Sequence, residues 1–332
     1  MTTAEAITLI EAAAGPGDLF GSAGPGGLFG STGPGAAPGG AGASRAYRRL
    51  ARLTHPDANP GDRRAAAAFA RLAELWQRYR DTGARRLLRR GDIANLYLAG
   101  DRVLKLARDP HDNDLMDREA AALAWMRSHA DGAYLAYLPH LAGRQRQQDP
   151  ATGSQRRANL LGWLDGFVSL ADVRSAYPGG VDPRDAAWMW RRLLVAIGTA
   201  HRAGVIHAAV LPEHVMIHPA DHGLVLADWC YSVSAPAGPV AAIVSRYRDW
   251  YPAEVLARRP PGPDLDIYLA SACMSYLMGG RAPARLAAFA RGCQLAGPRR
   301  RPQDAWRLLA ELDELLERLY GPRRFRPFAM PA

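Results

Sequence analysis

The sequence predicts an α+β chain in two parts, a short helical region followed by a larger mixed region. Three stretches carry that expectation. Residues 44–80 place Tyr47, Leu50, Ala51 and Leu53, then Phe69, Leu72, Leu75 and Trp76, at helical spacing on either side of Pro56. Residues 92–106 hold two short runs, DIANLYLA and RVLKL, that suit the two strands of a hairpin. Residues 205–231, VIHAAVLPEHVMIHPADHGLVLADWCY, set apolar pairs between polar and Pro/Gly punctuation, the pattern of strand, tight loop, strand, turn and strand.

Length and composition agree with this division. A chain of 332 residues, 48% hydrophobic, suits one large domain plus a smaller one and has ample length to bury a core. No apolar run approaches membrane-spanning length, and MTTAEAITLIEAAAG lacks the basic start and cleavage site of a signal peptide, so no membrane partner is expected. Three cysteines, Cys230, Cys273 and Cys293, make neither a metal-like spacing nor an even disulfide set, which points to a reducing cytoplasm. The net charge of +10 comes from arginines spread over every segment, without a DNA- or RNA-binding motif, so no nucleic-acid partner is expected either.

In order along the chain, residues 3–14 form a short helix with Ile7, Leu9 and Ile10 as its apolar contacts. A near-repeat follows, GPGDLFGSA, GPGGLFGST, GPGAAPGGAG, and its glycine and proline density makes residues 21–43 a flexible insert. The doubled LFG is a local expansion or, alternatively, a partner contact. Pro56 stops the helix that begins at Ser44, Asn59-Pro60-Gly61 makes a loop, and Asp62 is the N-cap of the next helix. This pair of amphipathic helices, with His55-Pro56-Asp57 opening the loop between them and Arg48, Arg49 and Arg52 on the helix before it, resembles the J-domain of DnaJ-type co-chaperones. The resemblance implies that His55, Pro56, Asp57, Arg48, Arg49 and Arg52 engage a DnaK-type chaperone, of bacterial type, and stimulate its ATPase. It covers residues 1–80, lacks a clear fourth helix, and leaves 81–90 as a linker.

From residue 91 to about 320 the chain resembles a protein kinase, with a small lobe over about 91–165 and a large lobe over about 166–320. His207 takes the His position of the H-R-D-L-x-x-x-N catalytic loop, and Asp228-Trp229-Cys230 stands where Asp-Phe-Gly is expected. Ala209 occupies the position of the catalytic Asp, Leu211 a position commonly lysine, and His214 that of the metal-binding Asn. A methyl group cannot accept a hydroxyl proton, so the resemblance is to a pseudokinase with no catalytic residue expected. The glycine-rich phosphate cover is reduced to Gly91. Lys105, the chain's single lysine, stands where kinases grip the α- and β-phosphates, and Glu119, on a helix over about 115–128, is its implied ion-pair partner. Asp228 is the implied magnesium ligand. His214 is open between a metal ligand and a structural or surface histidine, since imidazole suits zinc better than magnesium.

The remaining kinase-like positions are architectural. His207 braces the loop, Asp266 holds that loop's backbone, and Arg301 pairs with Glu254 of the Tyr251-Pro252-Ala253-Glu254 segment. Residues 159–166 match the last small-lobe strand and hinge, 144–157 read as a long loop, 184–203 as a helix, and 321–332 as a loose tail. The expected function is a J-domain co-chaperone whose impaired kinase-like domain senses nucleotide or binds an unknown client, with ATP and magnesium bound weakly through Lys105, Glu119 and Asp228. The alternative is a divergent, weakly active serine/threonine protein kinase.

Overall fold

The computed structural model describes residues 1–20, 40–82, 86–148, 152–234 and 238–331. It divides into two compact units, one made of residues 1–91 with 95–105 and the other of 92–94 with 106–332. Most of the expected insert at 21–43 lies outside the described residues, but 40–43 do not form a linker. They are the first turn of a helix.

In the first unit, α1 (Thr3–Ala12) opens with a capping box. The Thr2 hydroxyl accepts the Glu5 amide while the Glu5 carboxylate accepts the amide of Thr2, which satisfies two orphan donors at once. A short helix α2 (Pro16–Phe20) is preceded by amides of Ala14 and Gly15 bound to Asp18 Oδ2. Two longer helices follow, α3 (Gly40–Thr54) and α4 (Arg63–Thr82), the second capped by Asp62 Oδ1 on the amides of Arg64 and Ala65. Ile10, Leu19, Phe20, Leu50, Leu72 and Leu75 make the shared core, and Tyr47 stacks on Trp76 with centroids 4.7 Å apart. Arg71 closes the end of α1 by donating to the carbonyls of Ile10 and Ala13 at 3.1 and 2.7 Å.

Three strands come next: β1 (Arg86–Arg90), β2 (Ala94–Ala99) and β3 (Arg102–Ala107). The expected linker at 81–90 is thereby corrected, because 86–90 pair antiparallel with β2, Leu87 opposite Tyr97. Its arginine-rich composition resembles a linker, yet charged side chains are what an outer strand carries to block further pairing, and β1 ends its sheet. Gly100, with φ at 67°, makes the turn between β2 and β3.

The second unit begins with α5 (Asn113–His129) and the antiparallel pair β4 (Leu141–Gln148) and β5 (Gln155–Gly162). This corrects the long loop expected over 144–157. The ladder runs from Leu141 opposite Leu161 to Gln148 opposite Gln155, leaving only 149–154 for the connection. The Arg and Gln side chains here stand mostly toward solvent while the backbone is paired, as an antiparallel sheet allows.

Then come β6 (Val168–Ser169), α6 (Leu170–Ala176), α7 (Pro183–Arg202), β7 (Val205–Ile206), β8 (Val215–His218), β9 (Gly223–Leu226) and β10 (Val233–Ser234). Four helices complete the unit: α8 (Ala253–Leu256), α9 (Pro263–Met278), α10 (Ala284–Cys293) and α11 (Ala305–Tyr320). Strands β6, β8 and β9 form one sheet and β10 pairs with β7.

The core of this unit lies along α7 and α9, where Trp190, Leu193, Leu194, Ile197, Ile267, Leu269, Met274 and Leu277 are all fully buried. Each such side chain contributes about 1.5–3 kcal/mol. Gly198 sets the spacing of α7 against α11, since a Cβ there would lie 2.7 Å from Trp306 Nε1. The tail is not loose, which corrects that expectation. Arg326 bridges Asp182 and Asp185 at 3.2 and 3.1 Å, Phe328 is buried, and the Tyr177 hydroxyl donates to the carbonyl of Ala329.

Candidate functional site

The loop between β7 and β8 is held by a single carboxylate. Asp266, fully buried near the start of α9, accepts the amides of His207 and Ala208 on its two oxygens, each at 2.8 Å, and faces His201 Nε2 at 2.9 Å. His207 Nδ1 accepts the amide of Ala209 at 3.2 Å, so Nε2 carries the proton and donates to the carbonyl of Ala227 at 2.9 Å. That bond ties the loop to the residue before Asp228. Burial makes the charged ring costly and lowers the His207 pKa to about 4, against the opposing pull of Asp266. His207 is therefore a neutral brace.

Ala209 is fully buried and offers nothing polar beyond its backbone. Its carbonyl accepts a hydrogen bond from His214 Nδ1 at 2.8 Å, which turns His214 Nε2 toward Asp228 Oδ2, 3.3 Å away. His214 is thus neither at the surface nor isolated. Asp228 adopts a left-handed backbone, φ 65° and ψ 63°, and its side chain is about a quarter exposed.

Glu119 lies on α5, fully buried. Its Oε1 accepts the amide of Trp229 at 3.3 Å and its Oε2 accepts Asn159 Nδ2 at 2.8 Å, while the same Asn159 nitrogen also donates to the carbonyl of Met116. Glu119, Asp228 and Cys230 bring one ligand atom each to within 4.8 Å of one another. Lys105 lies buried on β3 in the first unit.

Sequence reasoning missed Asn159, Cys230 and His201 as members of this constellation. An amide inside the apolar run of β5 was the available signal for Asn159. The other two gain meaning only from neighbours distant in sequence.

Farther along, Arg301 pairs with Glu254 and, at 3.0 Å, with Asp264, its guanidinium lying 4.7 Å from the ring centre of Tyr268. In the first unit the chain turns at 55–59. His55 Nδ1 accepts the Asp57 amide at 3.2 Å, and Asn59 ties the turn back to the carbonyls of Leu53 and His55. Pro56 and Asp57 are exposed, as are Arg48, Arg49 and Arg52, and those three arginines line a surface depression with Met1 and Leu53.

No family model matches the chain. Over 62 residues it is 36% identical to casein kinase II subunit alpha' of Saccharomyces cerevisiae, a stretch that spans 19% of this chain and 18% of that protein. Among solved structures it resembles the BubR1 kinase domain, with a TM-score of 0.54 and 15% identity over 70% of this chain and 79% of that one. The chain therefore has a protein-kinase-like fold.

Kinases use ATP with magnesium, and the residues here do not fit the magnesium sites well. Magnesium demands near-octahedral oxygen ligation. Asp228 supplies oxygen, but His214 presents nitrogen at the second ligand position and Cys230 presents sulfur beside it. Among the described residues, no helix is long and apolar enough to cross a membrane.

Proposed function

We propose that this chain is a J-domain-type co-chaperone whose kinase-like part binds rather than phosphorylates. One contrast carries the reading: His55-Pro56-Asp57 is complete, on an exposed turn beside Arg48, Arg49 and Arg52, while the base position of the kinase-like part holds the buried methyl of Ala209. Phosphoryl transfer depends on positioning the nucleophile and stabilising charge, and a methyl group does neither. The exposed turn, by contrast, keeps the His-Pro-Asp tripeptide and the neighbouring arginines that the J-domain resemblance assigns to chaperone contact. The kinase resemblance assigns Lys105, Glu119 and Asp228 to weak binding of a purine nucleotide, which makes this part a nucleotide sensor or client platform.

The test is stimulation of the ATPase of DnaK-type chaperones by the purified chain. Wild-type protein raises single-turnover hydrolysis and His55→Gln abolishes the effect with an unchanged circular-dichroism spectrum, since the side chain sits on a surface turn. Absence of stimulation by wild-type protein across a panel of bacterial chaperones overturns the co-chaperone reading.

A further inference from the structure

Strand β4 ends its sheet, and Asn113 reveals which of the strand's backbone groups face outward. The Arg157 amide on β5 donates to Asn113 Oδ1 at 2.7 Å, and Asn113 Nδ2 donates to the carbonyl of Gln155 at 2.8 Å. Both backbone groups therefore point away from β4. In an antiparallel pair, opposed residues turn their amides and carbonyls toward one another or both outward, alternating along the strand. Arg157 stands opposite Arg146, Gln155 opposite Gln148 and Asn159 opposite Arg144. The N–H and C=O groups of Arg144, Arg146 and Gln148 thus line the outer edge of β4.

The two sides of this strand pair are finished differently. At this end of β5, the side chain of Asn113 supplies the donor and acceptor that a further strand would bring. On β4, among the described residues, no backbone hydrogen bond reaches Arg144, Arg146 or Gln148 from outside the ladder. All three residues are exposed, and the ladder behind them runs without a shift from Gly143 to Gln148. Strand β1, by contrast, is interrupted between Leu87 and Arg89, and such irregularities discourage further pairing.

Charge decides what pairs there. Strands β4 and β5 carry Arg144, Arg146, Arg156 and Arg157 and neither Asp nor Glu. Alternation puts Arg144, Arg146 and Arg157 on one face, where Asp117 of α5 binds the guanidiniums of Arg144 and Arg157. Three guanidiniums therefore stand around one carboxylate. A second copy of β4 would set arginines against arginines, which destabilises a strand pair, whereas opposite charges stabilise it.

We infer that the outer edge of β4 accepts an extended acidic peptide as an added strand, its alternate carboxylates lying against Arg144 and Arg146. Main-chain hydrogen bonds to Arg144, Arg146 and Gln148 supply affinity, and the arginine face selects the sign of the partner's charge. The inference goes beyond the co-chaperone reading and does not depend on it.

The probe is a fluorescein-labelled seven-residue peptide of alternating threonine and glutamate, titrated into full-length protein and followed by anisotropy. Two further forms carry backbone N-methyl groups at the glutamates or at the threonines, which removes amides from one edge of the peptide or the other. Saturable one-to-one binding is expected, weakened by about tenfold or more with one N-methyl pattern and little with the other. A lysine-for-glutamate peptide does not bind, and Arg146→Gln weakens the acidic one in a salt-dependent manner.

Hydrogen exchange read by NMR slows at the amides of Arg144, Arg146 and Gln148 when the peptide binds, and stays unchanged at Gln145 and Gln147, which already face β5. These wild-type measurements decide the matter even if Arg146→Gln fails to fold. No saturable binding at millimolar peptide overturns the proposal. So does equal loss with both N-methyl patterns, or unchanged exchange at the outward amides, either of which reduces the contact to charge attraction. Oligothymidylate of equal charge binding as tightly also overturns it and makes the edge a nucleic-acid surface.

Discussion

Asp266 Oδ1 accepts the backbone amide of Ala208 at 2.8 Å, and Ala208 holds a positive φ of 62°. Among the described residues only Ala208, His222, Asp228 and Arg258 do so without being glycine. A left-handed alanine persists only where its surroundings fix it. Here the second oxygen of the same carboxylate fixes the preceding amide. In Asp266→Asn one of those oxygens becomes an NH₂ that cannot accept, so at least one bond to a charged acceptor is lost. The expected cost is about 1.5–3 kcal/mol in urea denaturation. A change below about 0.5 kcal/mol would show that other contacts hold the loop.

Stability falls with acid through His207. Its folded pKa of about 4 lies below the ordinary histidine value of 6.5, so between these pH values the unfolded chain takes up a proton that the folded chain refuses. The contribution is fully present above pH 6.5 and is lost as pH drops toward 4, to the extent of about 3 kcal/mol. Chemical denaturation across that window measures it. His207→Gln should flatten the slope, and an unchanged slope assigns the acid sensitivity elsewhere.

Arg301→Ala leaves Glu254 and Asp264 buried side by side without their guanidinium. Removing one member of a buried ion pair costs about 3–5 kcal/mol, and the second carboxylate left unpaired places this case toward the upper end. Thermal unfolding of the variant checks it. A loss under about 1 kcal/mol would mean that water reaches the pair.

Arg48→Ala with Arg49→Ala should weaken chaperone contact and reduce its salt dependence together. Both side chains are exposed, and attraction between exposed charges decays over a Debye length of about 8 Å at physiological ionic strength. Binding measured at several salt concentrations separates this from unfolding, which would shift melting at every concentration alike.

Nucleotide binding predicts a melting shift. ATP at about a hundred times its dissociation constant adds about 2.7 kcal/mol of stability, and Lys105→Ala should abolish the shift. Magnesium should add little, given the nitrogen and sulfur donors around Asp228. No phosphate transfer should exceed that of the Lys105→Ala protein. Turnover that disappears with Asp228→Ala would favour the weakly active kinase instead.

Much of the second unit was legible because its signals are local. The helix over 184–203 and the alternation from Val205 to Tyr231 are each readable within a few turns of chain. Strand β1 and the β4–β5 ladder were not, because arginine and glutamine on a solvated strand have the composition of a loop. The docked tail depends on Asp182 and Asp185, far back in the sequence from Arg326. At the site, the loop positions followed from their order, whereas the company Glu119 keeps did not. Asn159 is 40 residues from it and the Trp229 amide 110, separations at which no periodicity speaks.

Lys105 has one more consequence. It is the chain's single lysine and only 4% exposed, so apart from the α-amino group it is the one primary amine that an acylating reagent can find. Forty-one arginines carry the remaining formal positive charge of Lys and Arg without offering such a nucleophile. Intact-mass measurement of slow acylation therefore reads the accessibility of a single buried position. No site-directed label is needed, and protection by a bound phosphate would appear as a missing mass increment.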